Sequence, residues 1–297
     1  MLRVCLLAGL VAFSGTDSLA WSQSQTPPPS LRELAESGDP EAAFDYGYDL
    51  TFPESGEPDT VTGRYWLIQA ANEGYAPANA LLGVIYRDGF GVDPDIDRAR
   101  AFLELAWSAQ DAIAGHELAE LLLYDFPDER AAAIEILESL LGNVDIGPVA
   151  SLTLAESLMF EGSTETEFAR AVTLARDALD RDPDLARAHY ILGIGAAEGY
   201  AGPIDQAGAR RAWNAGADAS DSLALIALAE TWLDDDWGSP DPVQAYFLYT
   251  VAADLGDSDA ADAAETLGRT LDADGRADAE GRRAAWERRL GWTALPD

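Results

Sequence analysis

The 297-residue sequence predicts an all-α protein, an α-solenoid of about six helix pairs closed by C-terminal capping helices. Three observations carry that prediction. From Leu31 onward the chain is built of Ala- and Leu-rich segments with helical spacing, punctuated by Gly, Pro and Asp. β-branched residues are sparse and rarely alternate, so strand signals are nearly absent. The chain also repeats itself. A small residue following an apolar or aromatic one recurs as Tyr46-Gly47, Leu82-Gly83, Leu118-Ala119, Leu154-Ala155, Leu192-Gly193 and Leu228-Ala229, at steps of 36 residues with a single step of 38.

The first element is a leader. Met1-Leu2-Arg3, the apolar run Val4 to Phe13 and the small-x-small ending Ser18-Leu19-Ala20 have the pattern of a secretory signal peptide, residues 1–20. The run is too short for a bilayer core, which needs about 20 residues. Cleavage near Ala20 would leave a mature chain in the periplasm or outside the cell, with no membrane insertion afterwards. Cys5, the single cysteine, lies in the removed segment, so core burial must stabilise the mature chain without disulfides. Residues 21–30 follow as a Ser/Gln/Pro linker ending in Pro27-Pro28-Pro29-Ser30.

The repeat solenoid is assigned to residues 31–268. Five residues before each small anchor stands an alanine: Ala42, Ala78, Ala114, Ala150, Ala188 and Ala224. Glycine inside a helix costs roughly 0.5–1 kcal/mol relative to alanine, so recurrent helical glycines need a compensating gain. Close helix approach supplies it, because axes reach the lower end of the 8–10 Å range only over small residues. The second helix of each pair follows a turn rich in Gly, Pro and Asp. In the second copy Gly89 and Gly91 are expected to take positive φ, and Asp97 to cap the next helix. Copies are joined by an Ala-Ala-x-x-Gly-x-x-x-Ala template, as in Ala70 to Ala78 and Ala252 to Ala260. Residues 269–297 differ from the body. They hold six arginines and six acids, and Ala279 to Leu290 can form an amphipathic helix with Trp286 and Leu290 on one face. Capping the stack is the expected role; folding back onto an acidic groove is the alternative.

These residues resemble the Sel1-like repeat, a relative of the tetratricopeptide helix pair. The best match is Ala78-Asn79-Ala80-Leu81-Leu82-Gly83-Val84-Ile85-Tyr86 with Gly89-Phe90-Gly91-Val92, continuing through Asp97-Arg98-Ala99 to Phe102, with Arg98 where the family has lysine. The resemblance spans about Glu41 to Ala260 and is strong in the first, second and sixth copies. The third copy has a shortened loop at Asp125 to Asp128, and the fourth lacks the glycine pair. The resemblance implies a right-handed α-solenoid that binds proteins, and the family includes exported bacterial members that regulate envelope sensor kinases or exopolysaccharide synthesis. The matching positions are packing residues, so it carries no catalytic position.

Composition narrows the chemistry. The formal net charge is −34, and every one of the 19 basic residues is an arginine. So negative a chain repels phosphate backbones and anionic lipid heads, which excludes nucleic acid and membrane surfaces as natural partners. Without lysine there is no Schiff base, no phosphate-loop lysine and no Ser-x-x-Lys nucleophile. The two histidines, His116 and His189, lie two repeats apart, roughly 20 Å at about 10 Å per helix pair, and are expected to be ordinary helix-surface or groove residues. His116-Glu117-Leu118-Ala119-Glu120 has the outline of a zinc-protease helix, but a glutamate stands where the second histidine belongs. Asp93, Asp95, Asp97 and Glu104 fit a calcium-loop count, yet Arg98 occupies the position that needs glycine. Solvated loops explain both these residues and Asp234-Asp235-Asp236. No catalytic residue, metal or cofactor is therefore expected, and the chain is not expected to be an enzyme. The alternative is an envelope enzyme that cleaves glycans or peptides through an acid pair in a shielded cleft.

Partner binding has four candidates. One position after the anchor stand Glu120, Glu156 and Glu230, a row suited to a protein partner with a basic segment if first helices line the inner curve. A solvated acidic helix face reads the same way. Trp237, in an Asp- and Gly-rich loop, is expected as an exposed contact.

Overall fold

In a computed structural model the described residues are 29–291. The signal-peptide assignment at 1–20, nearly all of the linker and the final six residues lie outside them. Fifteen α-helices and two short 3₁₀ turns make up the described chain. After α1 (Leu31–Glu36) come six pairs: α2 (Pro40–Thr51) with α3 (Thr60–Asn72), α4 (Ala76–Asp88) with α5 (Ile96–Ser108), and α6 (Ala112–Asp125) with α7 (Arg130–Leu140). The series continues with α8 (Gly147–Glu161) and α9 (Glu165–Arg181), α10 (Ala186–Glu198) and α11 (Gln206–Asp218), and α12 (Ser222–Thr231) and α13 (Pro242–Asp254). The described chain ends with α14 (Ser258–Gly268) and α15 (Ala273–Leu290).

Aspartate starts most of these helices. Asp39, Asp59, Asp95, Asp111, Asp205, Asp221, Asp241, Asp257 and Asp272 each accept a backbone N–H from the first turn of the following helix. A carboxylate there satisfies orphan donors and meets the positive end of the helix dipole. Nine of the chain's 53 acidic residues thus serve as helix caps. In the second copy the cap is Asp95 and not Asp97, which lies inside the first turn. A tertiary bond makes the choice: the Asp95 N–H donates to the Tyr86 carbonyl at 2.8 Å. Asp59 to Leu50, Asp205 to Ala196 and Asp241 to Trp232 repeat that bond at the same length, tying each second helix to its partner.

The hairpin turn of the second copy needs its glycines. Gly89 and Gly91 have φ of +72° and +67°, and a Cβ at Gly91 would lie 2.3 Å from the Thr60 hydroxyl oxygen. At the copy junctions the left-handed position is taken by Gly38, Gly74 and Gly256, but by Gln110 and Ser220 at two others. The segment Leu34 to Ala42 carries a similar junction pattern, so α1, a short helix begun by the Ser30–Glu33 capping box, takes the place that a second helix has before the later junctions.

The two small-residue columns lie where the helices meet. Ala78, Ala114, Ala150, Ala188 and Ala224 are fully buried, as are Ala119, Ala155 and Ala229. Within each pair the helices pack side by side, and first helices of successive pairs touch directly from α4 through α6, α8 and α10 to α12. Second helices are farther from one another, so the stack is tighter on the first-helix side and that side forms the inner wall. The last helix breaks the pattern. α15 packs against α13 and covers the end of the second-helix row, with Arg282 on Asp241 and Gln244, Arg283 on Asp254, and Arg289 on Asp218.

Candidate interaction surface

The inner wall is built from α4, α6, α8, α10 and α12, and the repeat brings one side chain of each to the same station. Glu120 on α6 and Glu156 on α8, both half-buried, and Glu230 on α12, exposed, follow the buried anchors Ala119, Ala155 and Ala229. Four residues further along α6 and α8, on the same face, Tyr124 is 62% exposed and Phe160 is 52% exposed. Phe160 stacks on Tyr190 of α10 with ring centroids 6.0 Å apart. Glutamate and aromatic thus recur as a pair on two successive first helices. Neither Tyr124 nor Phe160 is marked out by the repeat template, although both stand five positions after the anchor.

The row of carboxylates is not uniformly charged. Glu156 Oε1 lies 3.4 Å from Arg187 Nη1, and Arg187 Nε lies 2.5 Å from Asp221, the cap of α12. One arginine therefore links three successive pairs and offsets part of the charge of Glu156. Glu230 has a different environment. Burial of part of its side chain pushes its carboxyl above the usual range, and burial, followed by the Glu230 charge, pushes the phenols of Tyr190 and Tyr249 up.

Beside Glu120 is a cavity of about 290 Å³ lined by Arg87, Asp88, Glu120, Leu121, Tyr124 and Asp125. Arg87 is held in its charged form by Asp88 and Glu117, against the opposing effect of burial. Its Nη1 is 2.5 Å from Glu117 Oε2, and both side chains are about nine-tenths buried. Among the described residues His116, Glu117 and Glu120 are the group able to offer three metal ligands, with candidate ligand atoms within 4.8 Å of one another. Two of the three have other duties. His116, expected at the helix surface or in the groove, is buried and its Nε2 is 2.8 Å from Thr153 Oγ1, while Glu117 is tied to Arg87. The arrangement is a bond between neighbouring pairs.

Trp237 requires correction. It is partly buried, its ring 5.7 Å from that of Trp213, and Arg210 sits over both Trp232 at 4.6 Å and Trp237 at 5.6 Å. The loop's tryptophan anchors it to α11 instead of standing free in solvent. The C-terminal arginines Arg282, Arg283 and Arg289 pair with aspartates at the ends of second helices. Asp234 caps the short turn Asp235–Trp237 through the Asp236 N–H.

The helix pairs, their buried small columns and the inner wall correspond to a known family. The Sel1 repeat family matches residues 40–75, 76–111 and 222–257, the three copies in which the template is most complete. The chain belongs to the Sel1-like repeat proteins. Among solved structures, a protective antigen present in uropathogenic Escherichia coli strains and displaying the same fold superposes with a TM-score of 0.71 at 20% identity, covering 90% of this chain. The present chain spans 59% of the length of that antigen. A Sel1 repeat protein from Oxalobacter formigenes gives a TM-score of 0.55 at 17% identity, over 88% of this chain and 97% of its own. At these identities the likeness is one of fold. Among curated proteins none matches the chain. No helix among the described residues is long and apolar enough to cross a membrane.

Proposed function

We propose that this Sel1-like repeat protein is an exported, non-catalytic adaptor or regulator whose inner wall binds a basic segment of a protein partner in the periplasm or outside the cell. The observation that carries the reading is the doubled motif Glu120/Tyr124 and Glu156/Phe160 on adjacent first helices. A carboxylate beside an exposed ring meets both parts of an arginine or lysine side chain, the charged head and the apolar stem. A second copy of the motif one solenoid step away suits an extended segment. Glu230 continues the row on α12, and the net charge of −34 favours encounter with a cationic partner. The cavity beside Glu120 lies next to exposed Tyr124 and contains Arg87, an arrangement far from the shielded acid pair that glycan or peptide cleavage needs.

The test is photo-crosslinking in the cell envelope from positions 124 and 160, with position 105, exposed on the second helix α5, as control. Capture of the same protein from both inner positions, abolished by Glu120→Lys with Glu156→Lys, is the expected result. Capture unaffected by the double charge reversal would overturn the inner-wall reading, and retention of the chain in the cytoplasm would overturn the exported one.

A further inference from the structure

The chain contains its own example of what an outer, second-helix face can dock. At the sixth copy Phe247 of α13 is 4% exposed because Trp286 of α15 lies over it, ring centroids 6.0 Å apart. Acids surround that contact. Asp218, near the end of the preceding second helix, accepts from Trp286 Nε1 at 3.1 Å and from Arg289 Nη1 at 2.7 Å. Asp241, the cap of α13, accepts from Arg282 at 2.6 Å. An aromatic flanked by an acid on the neighbouring helix and an acid at the helix start thus receives a segment carrying arginine and tryptophan.

The same set recurs 182 residues earlier, at the other end of the stack. Asp218 corresponds to Glu36 on α1, Asp241 to Asp59, the cap of α3, and Phe247 to Tyr65. Val243 corresponds to Val61, and the left-handed Ser220 to the left-handed Gly38. The repeat template does not demand this set: the position of Tyr65 is Ala101 in the second copy and Arg211 in the fifth. At the sixth copy the face is covered, whereas at the first Tyr65 is 55% exposed and Val61 is 68% exposed. A cavity of about 310 Å³ opens there, lined by Glu36, Asp39, Tyr65, Trp66, Gln69 and Glu73. That volume is at the lower end of the range for ligand pockets, about 300–1,000 Å³. Tyr65 and Trp66 form a corner, ring planes at 80° and centroids 5.3 Å apart, which presents a ring face to a cation and an edge to another ring. Glu36 pairs with Arg32 across one exposed helical turn, a contact weak enough for an incoming guanidinium to replace.

We infer that the outer face of α1 and α3 is a docking site for an arginine- and tryptophan-bearing helix of a partner protein, received as α13 receives α15. The site is on the opposite side of the stack from Glu120 and Glu156 and stands or falls apart from the inner-wall reading. Its determinants are Glu36 and Asp59 for the arginines and the Tyr65–Trp66 corner for the aromatic.

The experiment uses the full-length protein and a labelled peptide of residues 277–291 as probe, followed by fluorescence anisotropy. Saturable binding is expected, weakened about tenfold by Tyr65→Ala, weakened several-fold by Glu36→Gln, reduced by added salt and unchanged by Phe160→Ala. Tyr65 is exposed, so its replacement leaves folding intact, which circular dichroism checks. No saturable binding up to about 1 mM, a limit set by the weakest specific contacts, would overturn the inference. So would binding indifferent to Tyr65→Ala but lost in Asp241→Asn, because the peptide would then be exchanging with α15. Light scattering that shows a concentration-dependent dimer abolished by Tyr65→Ala would overturn the assignment to a separate partner and make a second copy the occupant.

Discussion

Replacing Gly193 with alanine should destabilise the protein, although alanine is the better helix former. A Cβ built at Gly193 would lie 2.0 Å from Trp213 Nε1, 2.4 Å from Cδ1 and 2.5 Å from Cε2. Carbon contacts settle at about 3.5–4.0 Å, so the indole must retreat by more than an ångström, yet Trp213 is only 5% exposed and is packed on all sides. Overpacking of this kind costs about 1–3 kcal/mol. The indole N–H also donates to the Tyr190 carbonyl at 3.1 Å, and losing that bond adds about 1 kcal/mol. Against these stands a gain of about 0.5–1 kcal/mol for removing a helical glycine, leaving a net loss of about 1–3.5 kcal/mol. Gly281 in α15 is the internal control, because a Cβ there meets no heavy atom within 4 Å. Gly281→Ala should therefore stabilise by about 0.5–1 kcal/mol. Urea unfolding by circular dichroism reads both, and with a slope of about 3 kcal/mol/M the Gly193→Ala midpoint falls by about 0.3–1.2 M. Hydrogen exchange should place the loss in α10 and α11, since solenoid pairs couple chiefly to their neighbours. A Gly193→Ala midpoint equal to or above the wild type would refute the claim that small residues are required for close helix approach.

Other consequences follow from the same contacts. Gln110 and Ser220 hold left-handed backbone conformations that glycine adopts without strain, so Gln110→Gly and Ser220→Gly should each raise stability by about 1 kcal/mol, measured by urea midpoint. Glu117→Leu strands Arg87 in the core with only Asp88 beside it and should cost about 2–3 kcal/mol, below the full penalty for an unpaired buried charge; adding Arg87→Met should restore most of it. Asp241 is held below the usual carboxyl range by Arg282 and the α13 backbone, even though burial alone would raise it. A depressed carboxyl contributes stability that is present above its unfolded value near 3.8 and is lost as pH falls through the folded value. Docking of α15 should accordingly weaken in acid below about pH 4 and in high salt, seen as faster cleavage after Arg282 and Arg283 by an acid-tolerant protease or by trypsin in salt. Asp241→Asn should lessen the acid dependence, leaving the contribution of Asp218 and Asp254, which also hold α15.

What the sequence made legible is what the repeat dictates. The alanine column and the small anchors are buried in the copies that carry them, because a residue touching the next helix in one copy touches it in all. The helix content and the tail helix followed from periodicity alone. Single-residue choices did not. Asp95 and Asp97 are equally good caps by local chemistry, and a bond to the Tyr86 carbonyl on the previous helix selects between them. Trp237 looked exposed from its polar neighbours, but the loop folds so that Arg210 and Trp213 cover the ring. The carboxylate row was visible as a column, whereas the arginine that reaches Glu156 comes from the following pair, 31 residues away, at an offset no template states. Tyr124 and Phe160 do not stand out in the sequence because aromatics in an α-solenoid are more often core, and only the structure separates the exposed pair from the buried ones.

The arginines show how so acidic a chain stays folded while keeping its surface charge for recognition. Arg87 joins α4 to α6, and Arg100 makes a two-pronged contact with Glu129 beyond its own helix. Arg130 reaches Ser157 and Glu161 on α8, Arg170 reaches Glu138 on α7, and Arg187 joins α8, α10 and the α12 cap. Arg181 donates to the Leu141 and Asn143 carbonyls, and Arg210 to that of Thr231. Each of these bonds crosses from one helix or repeat to another, where a planar fork with several donors can satisfy two acceptors at once. A lysine, with a compact and more strongly hydrated charge, would serve such a joint less well. Because so many cations are engaged at internal joints, and so many aspartates at helix starts, uncompensated charge is left on glutamates. Glu120 within α6, Glu230 in the last turn of α12 and Glu73 at the C-terminal end of α3, beside the α1–α3 cavity, are such residues. Both proposed surfaces are therefore acidic for a structural reason: the chain's positive charge is committed to holding the pairs together, and a partner must bring its own.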